Sequence, residues 1–147
     1  MATRSLIGLL TEDKEVKNIY CHWDGYPSHN GKILVQHYNT LEKVTKLIAL
    51  GSLSALEVRL EPKEGEKHTF ENPVSDVTIA YHRDRGEELR INTSSSESGY
   101  WAKGGDIDFI YLFKDGEWYV DMGTSAKPRI AKVADVLSIP EEYEDED

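Results

Sequence analysis

The sequence predicts an α+β fold, one small antiparallel sheet with about two helices packed on one face. Three observations lead there. Residues 107–113 and 117–121 are aromatic-rich runs joined through Asp115 and Gly116, a strong two-residue hairpin signal. Residues 5–10 and 16–23 are two further strand-like runs separated by a polar turn. Between these pairs, residues 28–51 carry apolar positions at helical spacing with capping residues around them. The order reads β-β-α-α-β-β-β.

The first two runs predict an antiparallel hairpin. Strand alternation puts Ile19, Cys21 and Trp23 on one face, the expected core face, and Tyr20, His22 and Asp24 on the other. Asp24, Gly25, Tyr26 and Pro27 are turn chemistry. Ser28 is placed to cap a helix running to about Tyr38, with Gly31 marking a close approach by a backbone or ligand. Asn39 and Glu42 have capping-box spacing for a second helix. Leu41, Val44, Leu47 and Ile48 form its apolar stripe, and Gly51 is suited to end it. Residues 52–56 add a short turn of helix, 57–73 read as a surface loop, 77–82 as a strand, and 92–99 as a low-complexity loop. The last element, 128–138, fits a strand or a short helix equally.

At 147 residues, with 39% hydrophobic and 30% charged residues, the chain fits a single soluble domain over 1–140. No apolar run approaches the ~20 residues that span a bilayer, and the opening reads as a strand rather than a signal peptide. A lone cysteine, Cys21, permits no internal disulfide and agrees with a cytoplasmic location. The net charge is −10, of which residues 141–147 supply six carboxylates, leaving −4 on the body. That terminal run reads as an acidic disordered tail. Negative charge repels phosphate backbones, so direct nucleic-acid binding is disfavoured, and mimicry of nucleic acid is a minor alternative.

Residues 20–38 concentrate three of the five histidines, three of the eight tyrosines, one tryptophan and the cysteine. His22 and Asp24 combine an imidazole and a carboxylate, the pairing of a general base or a metal site. Against metal, His29 and His37 lie roughly 80° apart on a helical wheel, and no H-E-x-x-H or C-x-x-C is present. Neither a metal nor another cofactor is expected. His82, Arg83 and Asp84 match the catalytic triplet of protein kinases, but Leu89 stands where that loop needs Asn and the glycine-rich loop is missing. Arg83 and Arg85 with Asp84 and Glu87 read as a surface ion-pair network, or as a forked anion site. Cys21 reads as a small buried side chain, since His22 points to the opposite strand face. The candidate binding surface is therefore Tyr20, His22, Trp23, Asp24, Tyr26, His29 and His37, together with His82, Arg83, Asp84 and Arg85.

The block from Tyr20 to Ser28, with Asn30, Gly31, Lys32, Ile33 and Leu34, and then His37 and Tyr38, resembles a family of small uncharacterised accessory proteins of tailed phages. Residues 47–56, 80–86 and 111–119 look like its later blocks in the same order. The resemblance implies a phage accessory protein acting in the bacterial cytoplasm and assigns no catalytic residues. The leading expectation is a non-enzymatic protein that binds a host or defence-system protein, compatible with a homo-oligomer. The alternative is a small hydrolase, phosphoesterase or nucleotide-binding protein using His22, Asp24, His82 and Arg83.

Overall fold

The computed structural model describes residues 2–103, 106–122 and 129–138. Its frame is a central hairpin of β1 (Ser5–Leu10) and β2 (Val16–Cys21), paired from Leu10↔Val16 to Ser5↔Cys21 as the sequence predicts. Lys14 takes a left-handed φ of 67° to close the turn. The second predicted hairpin is also present, as β6 (Phe109–Lys114) and β7 (Glu117–Asp121). Asp115 and Gly116 have φ of 52° and 78°, the positive pair that a two-residue turn matching strand twist requires.

The two hairpins join differently from the expectation. β1 and β6 run parallel, with Ser5 opposite Phe109 and Leu9 opposite Phe113. β3 (Leu53–Ala55) adds to β2 in parallel at Cys21↔Leu53. The antiparallel expectation thus holds for five of the seven strand pairings and fails for these two. The remaining strands are β4 (Ile79–Ala80), β5 (Asn92–Ser94) and β8 (Ile130–Lys132). The sheet order is β4-β3-β2-β1-β6-β7-β8, with β5 sharing the outer edge of β2 with β3.

Helices cover both faces rather than one, and there are five α-helices among the described residues instead of about two. A π-helix (Pro27–Gly31) runs into α1 (Lys32–His37), followed by α2 (Leu41–Ala49). These pack with α5 (Val133–Leu137) on Ile7, Leu9, Ile19, Cys21, Tyr111 and Phe113, the larger core. On the other face, Tyr100 and Trp101 of α4 (Glu97–Trp101) cover Leu6, Val16, Ile110 and Leu112. Short helical runs inside polar loops carry too few apolar positions to show a period, so α4 and α3 (Tyr81–Arg85) escaped the sequence reading. Residues 92–99 therefore hold β5 and the start of α4, capped where Ser96 Oγ accepts from Gly99 N at 3.0 Å.

Other differences are local. Ser28 caps nothing: Tyr26 is the N-cap and Pro27 occupies the first helical turn, where a missing N–H costs nothing. Thr40, not Asn39, caps α2, accepting from Lys43 N at 3.3 Å. Leu41 of the predicted stripe is 63% exposed, while Val44, Leu47 and Ile48 are buried. Within the predicted helical turn 52–56, Leu53–Ala55 form β3 because their backbone pairs with the end of β2. The close approach at Gly31 comes from side chains: a Cβ there would lie 3.1 Å from Val133 and 3.4 Å from Tyr111. The segment 128–138 contains both forms proposed for it, β8 and then α5. The acidic run 141–147 lies outside the described residues.

Three long-range hydrogen bonds tie the helical face to the sheet. Tyr111 Oη donates to Gly25 O at 2.6 Å, Trp118 Nε1 to Tyr38 O at 2.7 Å, and Tyr38 Oη to Glu57 O at 2.8 Å. Each buries a polar tip on a backbone carbonyl, so the aromatic body adds apolar burial without an unpaired group.

Candidate functional site

Trp23 is exposed because of how β2 ends. The ladder continues past Cys21, with His22 N donating to Leu53 O and Trp23 N to Ser54 O, both at 3.0 Å. Asp24 then adopts φ 56°, a left-handed conformation that breaks strand alternation and turns the chain off the sheet. Gly25 is pinned between Thr3 O, which accepts its N–H at 2.9 Å, and the Tyr111 hydroxyl. Ile19 and Cys21 are buried as predicted, whereas Trp23 is 43% exposed.

The exposed ring is held by neighbours. Tyr20 Oη and His22 Nδ1 share a 2.6 Å hydrogen bond, and the His22 ring meets Trp23 edge-on at 4.7 Å between centroids. Burial raises the Tyr20 phenol above its ordinary pKa, against the opposing pull of Arg4. Tyr26, 38% exposed, donates to Asp24 Oδ1 at 3.1 Å and packs edge-on against His29. His29 donates from Nε2 to Leu56 O at 3.2 Å, which locks its ring to the segment after β3. Val58, two residues on, is 37% exposed. The π-helix and the end of β2 are thus both tied to residues 54–56, Trp23 through its N–H and His29 through its ring. His37 ends α1, and its ring makes no hydrogen bond among the described residues.

A carboxylate, Glu57, lies near the His29 ring. Burial raises the Glu57 carboxyl above its usual range, with repulsion from Asp76 and Asp24 adding to the effect and His29 easing it. Glu57 has no hydrogen bond or ion pair to its carboxylate among the described residues, and nor has Asp76. Neither residue drew attention in the sequence, because Glu57 opens a charge-rich loop and Asp76 lies beyond it.

Beneath the surface, Ser5, Cys21 and Asn30 are fully buried, with Asn30 Nδ2 at 3.3 Å from Ser5 Oγ and 3.5 Å from Cys21 Sγ. Burial pushes the Cys21 thiol up to about 11. At pH 8 the thiolate fraction is then on the order of a thousandth, and no reagent reaches it. The native chain should release no thionitrobenzoate from Ellman's reagent at pH 8, and one equivalent after unfolding in guanidinium. Rapid native reaction would show that this layer opens.

The second candidate cluster is turned inward. Asp84, with a side chain 4% exposed, receives Arg83 Nε at 2.8 Å and Nη2 at 3.0 Å. It also accepts Ala80 N at 2.8 Å and His68 Nε2 at 3.2 Å. Arg83 Nη1 donates to Leu60 O and Nη2 to Thr78 O. Burial opposes the Asp84 charge, yet the Arg83 guanidinium, the Ala80 N–H and His68 outweigh it and hold the carboxyl below its usual range. The His68 side chain is 1% exposed, and its Nδ1 accepts Val74 N at 3.0 Å, so Nε2 carries the proton given to Asp84. His68 lies in the run read as a plain surface loop. A lone histidine whose partner stands sixteen residues away leaves no local signal.

This corrects the reading of Arg83 and Asp84 as an exposed ion-pair network or anion fork: their donors and acceptors clamp the 57–76 segment to α3. His82 is exposed but donates from Nδ1 to Glu87 O at 2.7 Å. Arg85 is also exposed, paired to Glu87 at 2.9 Å and lying 4.9 Å over the Phe70 ring. The predicted strand over 77–82 shrinks to β4 because Tyr81 already begins α3.

β3 stands between the two clusters, pairing with β2 at Leu53↔Cys21 and with β4 at Leu53↔Ala80. Different clefts border them: Tyr20 lines one of about 450 Å³ with Arg90 and Ile91, while Asp84 and Arg85 line another of about 740 Å³ with Phe70 and Asn72. Among the described residues no group of three or more His, Cys, Asp or Glu side chains is placed to hold a metal ion. No helix among them is long and apolar enough to cross a membrane. No protein-family model, curated protein or solved structure matches the chain.

Proposed function

We propose that this chain is a phage-encoded accessory protein that binds a host or defence-system protein in the bacterial cytoplasm, without catalysing a reaction. The observation that carries the binding part is the exposed Trp23, held by His22 and Tyr20, with Tyr26 also exposed three residues on. Aromatic rings that are already immobilised lose little rotamer entropy on docking, which is the character of interface anchors. The phage origin rests on the resemblance of residues 20–38 and the later blocks. The hydrolase reading, which uses His22, Asp24, His82 and Arg83, has less support, since Arg83 is engaged with Asp84 and with backbone carbonyls. Mimicry of nucleic acid gains nothing from carboxylates such as Glu66 and Glu97, which are paired with Arg59 and Lys114.

The test is capture from bacterial lysate by the immobilised full chain. We expect a stoichiometric partner that is lost when Trp23→Ala and Tyr26→Ala are combined. Recovery of nothing above background, or of a partner indifferent to both substitutions, counts against the reading.

A further inference from the structure

We propose that residues 67–74 form a strap that acid releases: His68 cannot take up a proton and keep its bond to Val74, so falling pH frees the 69–74 turn from α3 and widens the cleft between them. This stands independently of the binding reading above.

The strap is tied down at few points. Arg59 anchors both of its bases, through Glu66 on one side at 3.0 Å and Ser75 O on the other at 3.3 Å. Between these anchors Thr69 and Asn72 bond to each other, Thr69 N donating to Asn72 O at 3.3 Å and Asn72 N to Thr69 Oγ1 at 2.9 Å. Among the described residues one hydrogen bond links residues 67–74 to α3, from His68 Nε2 to Asp84. Beside it the Phe70 ring lies 5.7 Å from Tyr81 between centroids, with Arg85 4.9 Å over it. Residues 69–72 line the cleft of about 740 Å³ opposite Asp84 and Arg85, so the strap is its movable wall.

The His68 ring closes the strap only in its neutral form. A backbone N–H can only donate, so Nδ1, which receives Val74 N at 3.0 Å, carries a lone pair, and the single ring proton sits on Nε2. A second proton has one place to go, Nδ1, where it would point at the Val74 N–H. The closed strap therefore holds one proton fewer than the released one, and linkage weakens closure as pH falls. The Asp84 carboxylate attracts the imidazolium, but it does so through Nε2 in either form. It keeps His68 on α3 while the Val74 limb lets go. No other charge around the ring replaces the lost lone pair. Arg83 is bonded to Asp84, Leu60 O and Thr78 O, and the Ala80 N–H of β4 is also on Asp84. His82 and Arg85 are engaged with Glu87, and Lys67 and Glu71 in the strap are exposed.

The experiment follows amide exchange of the full chain by NMR from about pH 8 to about pH 4.5, above the range in which Asp84 takes up its proton, with rates expressed as protection factors. We expect Val74 protection to fall as the solution is acidified, approaching about tenfold per pH unit, the slope of one coupled proton. Ala80, whose N–H Asp84 holds at 2.8 Å, should change by under about twofold. In His68→Asn, whose amide oxygen can accept Val74 N but takes up no proton, Val74 protection should stay level. Val74 and Ala80 falling together would mean that the clamp or the whole fold opens, and that overturns the proposal. So does level Val74 protection in the wild type, or a slope that persists in His68→Asn. If His68→Asn does not fold, the nitrogen-15 shifts of the wild-type imidazole decide. Nδ1 should gain its proton over the same pH interval in which Val74 loses protection, and a protonated ring with Val74 still protected overturns the proposal.

Discussion

Asp84→Ala should destabilise the chain by about 3–5 kcal/mol, the range for removing one partner of a buried, hydrogen-bonded ion pair. The carboxylate satisfies Arg83 twice, Ala80 N–H once and His68 once, and water has little access to replace it. Its loss leaves His68 Nε2 and Ala80 N unpaired in a closed site. Asp84→Asn keeps the shape and loses the charge, so a smaller loss is expected. The pH dependence has a definite sign. The folded carboxyl titrates below its unfolded value of about 3.9, so the contribution is complete above that pH and disappears as pH falls through the folded value. In urea melts, the advantage of wild type over Asp84→Asn should be constant near neutrality and shrink below about pH 4. A gap that stays constant to strong acid, or a loss under about 1 kcal/mol for Asp84→Ala, would show that the clamp contributes little.

Tyr111→Ala should cost a similar amount, about 3–5 kcal/mol, because it empties a fully buried aromatic site in the middle of the larger core. Tyr111→Phe separates packing from hydrogen bonding. It keeps the ring and removes the donor to Gly25 O, with an expected loss of about 1–2 kcal/mol. The loss should be local as well as global. Amide exchange should quicken across residues 22–31, the segment that displays Trp23 and Tyr26, while β6 and β7 remain protected. Unchanged exchange in that segment would mean that Asp24 and the π-helix hold the surface without the sheet's help.

What the sequence revealed follows from how local each signal is. The hairpins were legible because alternation and the Asp115-Gly116 turn sit within a dozen residues. α2 was legible from Val44, Leu47 and Ile48, with its cap misplaced by one residue from Asn39 to Thr40. The parallel joins were not, because pairing Ser5 with Phe109 leaves no trace in either segment alone. The same distinction divides the candidate residues. Tyr20, His22 and Trp23 interact within one short stretch, as do Tyr26 and His29, and the structure keeps each group together. Arg83 and Asp84 look solvent-facing by composition, and only contacts with Leu60, His68 and Thr78 turn them inward. Glu57 comes near His29 and Asp76 only through tertiary packing, so nothing in its immediate sequence marks it.

The parallel pairing of β1 with β6 bears on how the chain assembles during synthesis. The amino-terminal hairpin is the middle of the sheet, and one of its edges waits for residues 109–113. Closing that contact means closing a loop of roughly a hundred residues, an entropic cost met late and a reason for slow folding. Until then β1 exposes Leu6, Ile7 and Leu9 along an unpaired edge, a template for strands of other chains. Nascent chains stalled before residue 109 should therefore bind chaperones or aggregate, and the segment around Trp23 gains its bond from Tyr111 to Gly25 only after that point.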